Sequence, residues 1–389
     1  MSRTENPQDL VAVRLPPGPD WPPLVQHIWA DEAALFPIDH RLPEPEVRAL
    51  LEAAKPTMVI GPEGEHRPSD GRPADPGVAV IVATSGTGGR PKLVQFDRGA
   101  IDAAVASSAL ALEAGPADPW LSCLPVAHIG GLLVLMRAVL LGAPVSVHPR
   151  FDVETFASEP RMTFTSIVPT MLGRLVDAGA DLSRFRAILV GGGPADEDVV
   201  AKAREGGANV VLTYGLTEGC GGLVYDGRPL PGTEVRLGPD DEIQLRGPTL
   251  MLGYRDDRDA TARAHTDDGW LRTDDAGVFD EEGRLTVVGR LDDVVLSGGE
   301  KVWPQEVETA LRRHVKVADV AVRGRPDPEW GTRVVAFVVP TDPDDPPTLE
   351  SLRDVAAQRL PRYKAPQDME LVEELPRTPL GKIRRATLG

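Results

Sequence analysis

Residues Val82–Lys92 read V-A-T-S-G-T-G-G-R-P-K, and the interpretation of the whole chain starts from this stretch. An apolar, β-branched run at 78–82 leads into it and predicts a short buried strand. Three glycines within four positions allow a tight turn whose N–H groups can converge on an anion. Hydroxyl groups and two nearby cations, Arg90 and Lys92, would add to that binding. The stretch therefore predicts a phosphate-binding loop, with Thr84, Ser85, Gly86, Thr87, Gly88 and Lys92 as candidate ligands.

This loop differs from the one found in nucleotide triphosphatases. That motif requires G-x-x-x-x-G-K-[ST], whereas here Pro91 precedes the lysine and Leu93 follows it. Taken alone, the stretch is also compatible with a glycine-rich turn that binds nothing. Motifs elsewhere in the chain are needed to decide between the two interpretations.

Composition excludes several classes of protein. The 389 residues carry a net charge of −17, so a generic nucleic-acid-binding protein is not expected, and local cations must bind any anionic ligand. The only cysteines, Cys123 and Cys220, form no C-x-x-C pattern, which fits a reducing cytoplasm without a disulfide framework or zinc site. The N-terminus has no secretory pattern, and Arg137 and Pro144 interrupt the most apolar run. We expect a cytoplasmic protein with no membrane partner.

The order of predicted elements indicates an α/β fold with two domains. Strand-like and helix-like segments alternate after the loop, which predicts a layered α/β sheet with ligands bound at strand ends. Short β segments between 221 and 290 predict a small β unit, and the tail predicts a compact α+β domain. We therefore predict a large N-terminal domain at 1–290 and a small, mobile C-terminal domain at 291–389. Residues 1–40 show no catalytic signal, and 61–77 are expected to form a loop.

Two further motifs complete the pattern: T-Y-G-L-T-E at Thr213–Glu218 and T-P-L-G-K at Thr378–Lys382. Together with Val82–Lys92, and in this order, they resemble the adenylate-forming superfamily of acyl- and aryl-CoA ligases, peptide-synthetase adenylation domains and luciferases. The resemblance covers the chain from about residue 40 to its end. It implies a reaction in which a carboxylate attacks the α-phosphate of ATP and pyrophosphate leaves.

The resemblance assigns the ATP-binding residues. Thr217 matches a contact to the α-phosphate, and Glu218 matches the ligand of Mg²⁺, a cation that prefers carboxylate oxygens. Asp275 matches the carboxylate that binds the ribose hydroxyls, although Asp274 stands where the family usually has glycine. Gly88 likewise replaces the usual threonine. The remaining matches to the nucleotide site are Gly191, Gly192, Gly193, Tyr214, Gly215 and Arg290.

The C-terminal motif implies a change of conformation between two half-reactions. In the family, the lysine matched by Lys382 bridges the acyl carboxylate and the α-phosphate, where it stabilises charge in the transition state. The small domain then rotates about a hinge, matched here by Asp292, and presents another loop to the site. That loop matches Ser297, Gly298 and Gly299 and faces the incoming thiol.

The acid and its acceptor are predicted from the same resemblance. His128 and Gly130 match the acyl pocket, and Gly219 and Cys220 would leave room for an acyl group. Seven residues follow Lys382, too few for a carrier domain, so coenzyme A is the expected acceptor. The run 214–255 looks most like short bacterial o-succinylbenzoate–CoA ligases of menaquinone biosynthesis.

Several alternatives remain open. They are another aryl- or acyl-CoA ligase, a stand-alone adenylating enzyme that loads a separate carrier protein, a non-catalytic acyl-AMP-binding relative, and an ordinary phosphatase or triphosphatase. The expected small-molecule partners are a carboxylic acid, ATP with Mg²⁺, and coenzyme A. The sequence also leaves open whether the protein forms a homodimer.

Overall fold

The strand predicted before the glycine-rich loop is present and spans Val78–Thr84 in the computed structural model, which describes residues 8–84, 91–377 and 383–388. The chain divides into two units: Met1–Val235 with Gln244–Arg272, and Arg236–Ile243 with Thr273–Gly389. The predicted domain boundary at 290/291 stays a prediction. Within the described ranges, no helix is both long and apolar enough to cross a membrane.

The N-terminal part of the first unit builds most of one sheet. Apolar β-branched runs form its strands, and two amphipathic helices with proline in the first turn pack beside them. The elements are β1 (Leu10–Val13), α1 (Trp21–Ala30), β2 (Ala34–Pro37), α2 (Glu44–Ala54), β3 (Met58–Gly61), β4 (Gly64–His66), β5 (Val78–Thr84) and β6 (Lys92–Asp97).

Strand–helix alternation then continues as predicted and builds a second sheet, still within the first unit. The elements are α3 (Arg98–Leu112), β7 (Trp120–Ser122), α4 (Ile129–Leu141), β8 (Val145–Val147), α5 (Val153–Ser158), β9 (Phe164–Ile167), α6 (Pro169–Asp177), β10 (Ala187–Val190), α7 (Glu197–Glu205), β11 (Val210–Leu216), β12 (Gly221–Tyr225) and β13 (Arg228–Pro229).

The rest of the chain forms shorter sheets, as the change in character after residue 221 predicted. The tail contains both strands and helices, as an α+β domain requires, and the Thr348 side chain caps the last α-helix. The elements are β14 (Glu234–Leu237), β15 (Glu242–Arg246), β16 (Gly253–Tyr254), α8 (Arg258–Arg263), β17 (Leu271–Phe279), β18 (Leu285–Arg290), β19 (Val295–Ser297), β20 (Glu300–Val302), α9 (Pro304–Leu311), β21 (Val317–Asp327), β22 (Gly331–Pro340), α10 (Leu349–Ala357) and β23 (Asp368–Leu371).

The topology of the first unit brings strand ends together. One sheet has the order β16-β6-β5-β2-β1-β3-β4 and the other β13-β12-β11-β10-β9-β7-β8. Strands β2 and β5 are parallel neighbours in the first sheet, and β9, β10 and β11 are parallel neighbours in the second. Within each sheet, the carboxyl ends of these strands therefore lie at the same edge. Fully buried β1 and β2 lie near the middle of their sheet. The mixed α/β fold is confirmed, whereas the loop predicted at 61–77 contains β4.

In the second unit, the tail forms a small α+β body. Strands β21, β22 and β23 make a sheet, and β19 and β20 form a hairpin. Apolar side chains of α9, α10 and these strands share one core, for example Val307, Leu311 and Val320. Burial of this amphipathic face supplies much of the stability of such short helices.

Candidate active site

The two described flanks of the predicted phosphate-binding loop lie side by side. Thr84 ends β5 and Lys92 begins β6, and the two residues are register partners in the antiparallel pair. The ammonium Nζ of Lys92 lies 5.0 Å from the ring centroid of Tyr254, within range of a cation–π interaction. The ends of the loop are therefore held next to each other by strand pairing. The predicted ligands inside it, Ser85, Gly86, Thr87 and Gly88, lie outside the described residues.

Glu218 is held by a segment 36 positions further along the chain. Strand β11 ends in a single 3-10 turn, Thr217–Gly219, which carries the carboxylate. The Tyr254 hydroxyl donates a hydrogen bond of 2.8 Å to Glu218 Oε1. The N–H of Met251 donates a second bond of 2.8 Å to the Glu218 carbonyl oxygen. Both the backbone and the side chain of Glu218 are thus fixed by the chain around β16.

The position of Glu218 fits a magnesium ion held mainly by nucleotide phosphates. In the described part of the chain, its second carboxylate oxygen has no hydrogen-bond partner and is available for a ligand. No group of three or more His, Cys, Asp or Glu side chains that could hold a metal occurs among those residues. Mg²⁺ usually keeps several waters and binds one or two carboxylates together with substrate phosphates. One carboxylate near a phosphate-binding turn matches that coordination.

Two glycines of the predicted nucleotide site are required by close packing. A methyl group at Gly191 would overlap Thr213 Oγ1, and one at Gly215 would overlap the carbonyl oxygen of Gly221. Gly191 follows β10 and Gly215 lies in β11, where the pairing with β12 is irregular next to Tyr214. The structure therefore places Gly191, Gly215 and Tyr214 at the edge that carries Glu218, together with Gly192 and Gly193.

His128 lies near a charged pair, Asp39 and Arg41, that local sequence patterns do not reveal. It directly precedes α4, in which Gly130 is the second residue. Asp39 is buried just beyond β2 and accepts hydrogen bonds from Arg41 Nε at 2.9 Å and Nη2 at 2.6 Å. Burial lowers the pKa of His128, the Asp39 carboxylate opposes that shift, and Arg41 adds to it. Residues 1–40, which show no catalytic signal in the sequence, thus supply a carboxylate close enough to influence the charge of His128.

The small residues after Glu218 are packed tightly. A methyl group at Gly219 would overlap Leu223, and Cys220 adopts a left-handed φ of 60° with its side chain buried. Burial raises the pKa of the Cys220 thiol to about 12, so the thiol stays protonated at neutral pH. Cys220 is thus a small packing residue and not a nucleophile. Its role in an acyl pocket, like that of Gly219, stays a prediction.

In the second unit, four charged residues predicted to act near the ribose or hinge lie together. Asp275 and Arg290 are register partners of β17 and β18, with Oδ1 and Nη1 3.4 Å apart. Arg290 Nε donates to Asp292 Oδ1 at 3.2 Å, and its Nη2 lies 3.7 Å from Asp274 Oδ2. The Asp275 side chain is 15% exposed and that of Asp274 68%. Asp275 is therefore the more buried of the two carboxylates and the better candidate for binding a diol.

The predicted CoA-side loop is a tight hairpin between β19 and β20. Its two central residues have positive φ, 60° at Gly298 and 88° at Gly299, as a two-residue hairpin turn requires. Ser297 is buried and accepts a hydrogen bond of 2.9 Å from Gln367 Nε2. The Gly298 N–H donates to the Trp330 carbonyl at 3.0 Å. The hairpin is thus anchored on both sides, with the glycines at its tip.

Lys382 lies outside the described residues, but the chain beside it is firmly attached. Arg385 Nη2 donates to both carboxylate oxygens of buried Glu308 at 2.8 Å. Arg385 Nη1 also donates to Asp293 Oδ2 at 2.9 Å, next to the predicted hinge residue Asp292. This network joins the C-terminal segment, α9 and the hinge region within one unit.

Three residues important to these arrangements were not predicted: Tyr254, Asp39 and Arg385. Tyr254 and Arg385 contact residues distant in sequence, and the Asp39 charge acts on His128, so local periodicity carries no signal for these relationships. Tyr254 lies near the end of the run 214–255, and the likeness of that run to other ligases does not reveal what Tyr254 contacts.

Comparisons with known proteins identify the family of the chain. The family description "AMP-binding enzyme" matches residues 63–255, and "AMP-binding enzyme C-terminal domain" matches residues 306–382. A probable 2-succinylbenzoate–CoA ligase of Mycobacterium tuberculosis is 39% identical over 362 residues, which cover 88% of this chain and 93% of the relative. A 2-succinylbenzoate–CoA ligase of Listeria monocytogenes is 37% identical, covering 80% of this chain and 69% of the relative.

Solved structures give the same result. The o-succinylbenzoate CoA synthetase of Bacillus subtilis in complex with its acyl-adenylate intermediate is 29% identical and has a TM-score of 0.87. That comparison covers 99% of this chain and 88% of the other. The same enzyme is also known in complex with ATP and a magnesium ion. The predicted resemblance is confirmed, and the chain belongs to the family of AMP-binding enzymes.

Proposed function

We propose that this chain is an ATP-dependent acid–CoA ligase that converts 2-succinylbenzoate into its CoA thioester through an acyl-adenylate, a step of menaquinone biosynthesis. The observation that carries the proposal is the similarity to 2-succinylbenzoate–CoA ligases, which extends over 88% of the chain. Matches to both family descriptions accompany it. ATP, Mg²⁺ and coenzyme A are the corresponding cofactor and co-substrates. The sequence-based prediction of an AMP-forming acid–thiol ligase is confirmed by the same similarity.

The first half-reaction is assigned to residues of both units. In the first unit, Lys92 and the turn it closes would bind the phosphates of ATP, and Glu218 would hold the magnesium ion beside Thr217. When bound, Mg²⁺ supplies positive charge that offsets the charge on the phosphate oxygens. In the second unit, the Asp275 carboxylate would accept hydrogen bonds from the ribose hydroxyls. Lys382 would stabilise the charge that develops as the acid attacks the α-phosphorus.

The second half-reaction breaks the acyl-phosphate bond and forms a thioester. The thiol sulfur attacks the acyl carbon, AMP leaves with the electron pair of the broken bond, and the thiol proton passes to solvent. We assign the hairpin tip, Gly298 and Gly299, to the side of the site that faces coenzyme A. Asp292 is assigned to the hinge between the proposed domains 1–290 and 291–389. A cytoplasmic location and a homodimer belong to the same proposal.

One experiment tests the function as a whole. Pyrophosphate release is measured with ATP and Mg²⁺ across a panel of carboxylic acids, with and without coenzyme A. Turnover with 2-succinylbenzoate that depends on coenzyme A supports the proposal. Turnover with a different acid would support the proposed ligase reaction but assign a different substrate to the enzyme. Release that reaches only one equivalent despite added coenzyme A would point to a carrier protein as the acceptor.

A further inference from the structure

The hydroxyl group of Tyr254 lies where two parts of the nucleotide site meet. Tyr254 belongs to β16, which pairs with β6 so that Tyr254 faces Val94, two residues after Lys92. Glu218 follows β11 of the other sheet. The bond of 2.8 Å from the Tyr254 hydroxyl to Glu218 Oε1 therefore joins the two sheets of the first unit.

The position of Tyr254 is itself well determined. Only 8% of the residue is exposed, and its backbone N–H donates to Thr261 Oγ1 at 2.9 Å. Neighbouring N–H groups of Leu252 and Arg255 donate to carbonyl oxygens of β6 at 2.8 Å. A tyrosine fixed in this way presents its hydroxyl at a defined point. The glutamate it contacts stands on a single 3-10 turn and has two free side-chain torsions before the carboxylate.

We propose that Tyr254 is the positioning residue for Glu218. Its hydroxyl donates a hydrogen bond to Oε1 and so directs Oε2 towards the magnesium ion of bound MgATP. A hydrogen bond to one oxygen of a metal-binding carboxylate fixes the orientation of the other oxygen. The Tyr254 ring also contacts the Lys92 ammonium, 5.0 Å from the ring centroid. The same side chain thus aligns the acidic and basic parts of the phosphate site. This inference rests on the metal role proposed above for Glu218.

Tyr254→Phe tests the inference because it removes the hydroxyl and keeps the ring beside Lys92. Binding of ATP is measured by titration calorimetry in Mg²⁺ and again in EDTA. Loss of an outer partner of a metal ligand costs roughly 10- to 100-fold in metal-dependent affinity. We expect that loss in Mg²⁺ and unchanged affinity in EDTA. Equal affinities of variant and wild type in Mg²⁺, or an equal loss under both conditions, would overturn the inference.

Tyr225→Phe is the matched control. The Tyr225 hydroxyl is also buried and lies 3.1 Å from Ser108 Oγ and 3.3 Å from Arg137 Nη2, in no assigned part of the nucleotide site. This variant should bind MgATP as the wild type does. A loss as large as that of Tyr254→Phe would show that any missing buried hydroxyl weakens the protein, which contradicts a specific role for Tyr254.

A double-variant cycle with Glu218→Gln separates the positioning role of Tyr254 from the metal-binding role proposed for Glu218. If Tyr254 acts through Glu218, adding Tyr254→Phe to Glu218→Gln should cause no further loss of MgATP affinity. Additive losses would show that Tyr254 acts by another route. A Glu218→Gln protein that keeps the full effect of Mg²⁺ would instead remove the metal role of Glu218, and the inference with it. The acid-dependent release of pyrophosphate tests the overall function independently.

Discussion

Arg385 and Glu308 form a buried ion pair in which one guanidinium nitrogen donates to both carboxylate oxygens at 2.8 Å. The Glu308 side chain is only 2% exposed, and the N–H of Val322 donates to the same carboxylate at 2.8 Å. Desolvation of two charges is compensated here by several hydrogen bonds. The pair thereby attaches the end of the chain to the core of the second unit.

Glu308→Gln should destabilise the protein because it leaves the Arg385 guanidinium without its buried counter-charge. Removal of one partner from a buried pair typically costs about 3 to 5 kcal/mol. The measurement is urea unfolding followed by circular dichroism. Glu234→Gln is the control, since it breaks the exposed pair with Arg246 and should leave the unfolding midpoint nearly unchanged. Equal midpoints for Glu308→Gln and wild type would contradict the assigned role.

Replacement of Lys382 by alanine should affect the two half-reactions differently. Adenylation loses a positive charge that stabilises the transition state, so its rate should fall by roughly 100-fold or more. Thioester formation from supplied acyl-adenylate should continue, because the lysine acts only in the first step. Both rates are measured by rapid quench. Lys316→Ala, which removes an exposed lysine paired with Asp345, should leave both rates unchanged. Equal losses in the two steps would refute the assignment.

The neighbouring carboxylates Asp275 and Asp274 provide a matched test of ribose binding. Asp275→Asn should raise KM for ATP roughly 10- to 100-fold, the range for losing a hydrogen bond to a charged acceptor. Asp274→Asn should change KM much less, because that side chain is largely exposed. The comparison needs only steady-state kinetics with ATP varied. The reverse order of effects would assign the diol to Asp274.

Gly191→Ala should destabilise the edge of the second sheet. The added methyl group would overlap Thr213 Oγ1, and such overpacking costs about 1 to 3 kcal/mol. Gly193→Ala is the control, because no atom lies within 4 Å of the position its methyl group would take. Free energies of unfolding of the two variants are compared by urea titration. A larger loss at Gly193 would contradict the packing described here.

The stability of the protein should depend on pH through His128. Burial lowers the pKa of His128 from 6.5, so the unfolded chain binds the proton more readily than the folded one. The free energy of unfolding should therefore fall as the pH drops below about 6.5, until the folded-state pKa is reached. His128→Asn should remove this part of the pH dependence between pH 7 and 5. The check is urea unfolding of both proteins across that range. An identical slope in variant and wild type would show that His128 does not contribute.

Sequence reasoning located the parts of the fold and site that depend on local pattern. The strand before the loop, the alternation from 98 to 213 and the cap at Thr348 all follow from periodicity and side-chain chemistry. Strands β1 and β2 were missed, since four-residue strands between prolines give little periodic signal. The bond from Tyr254 to Glu218 was missed for a different reason, because strand order creates it.

The positions of β16 and β2 show how much the topology adds. Gly253 and Tyr254 make up a strand of two residues, and only their pairing with β6 places the tyrosine near Lys92. Asp39 lies two residues beyond β2, and its carboxylate interacts electrostatically with His128, which precedes α4. Such placements depend on which strands are neighbours, and no single stretch of sequence determines that order.

The bridge between Arg377 and Ile383 has a kinetic consequence. It pairs two backbone positions that bracket residues 378–382, so Lys382 is covalently attached to a fixed point one residue away. In the proposed catalytic role of Lys382, so short a tether means that its effective concentration is set by the motion of the proposed C-terminal domain, not by diffusion of a free chain end. Insertion of a few glycine and serine residues between Lys382 and Ile383 would lower the effective concentration of the Lys382 ammonium group without altering its chemistry.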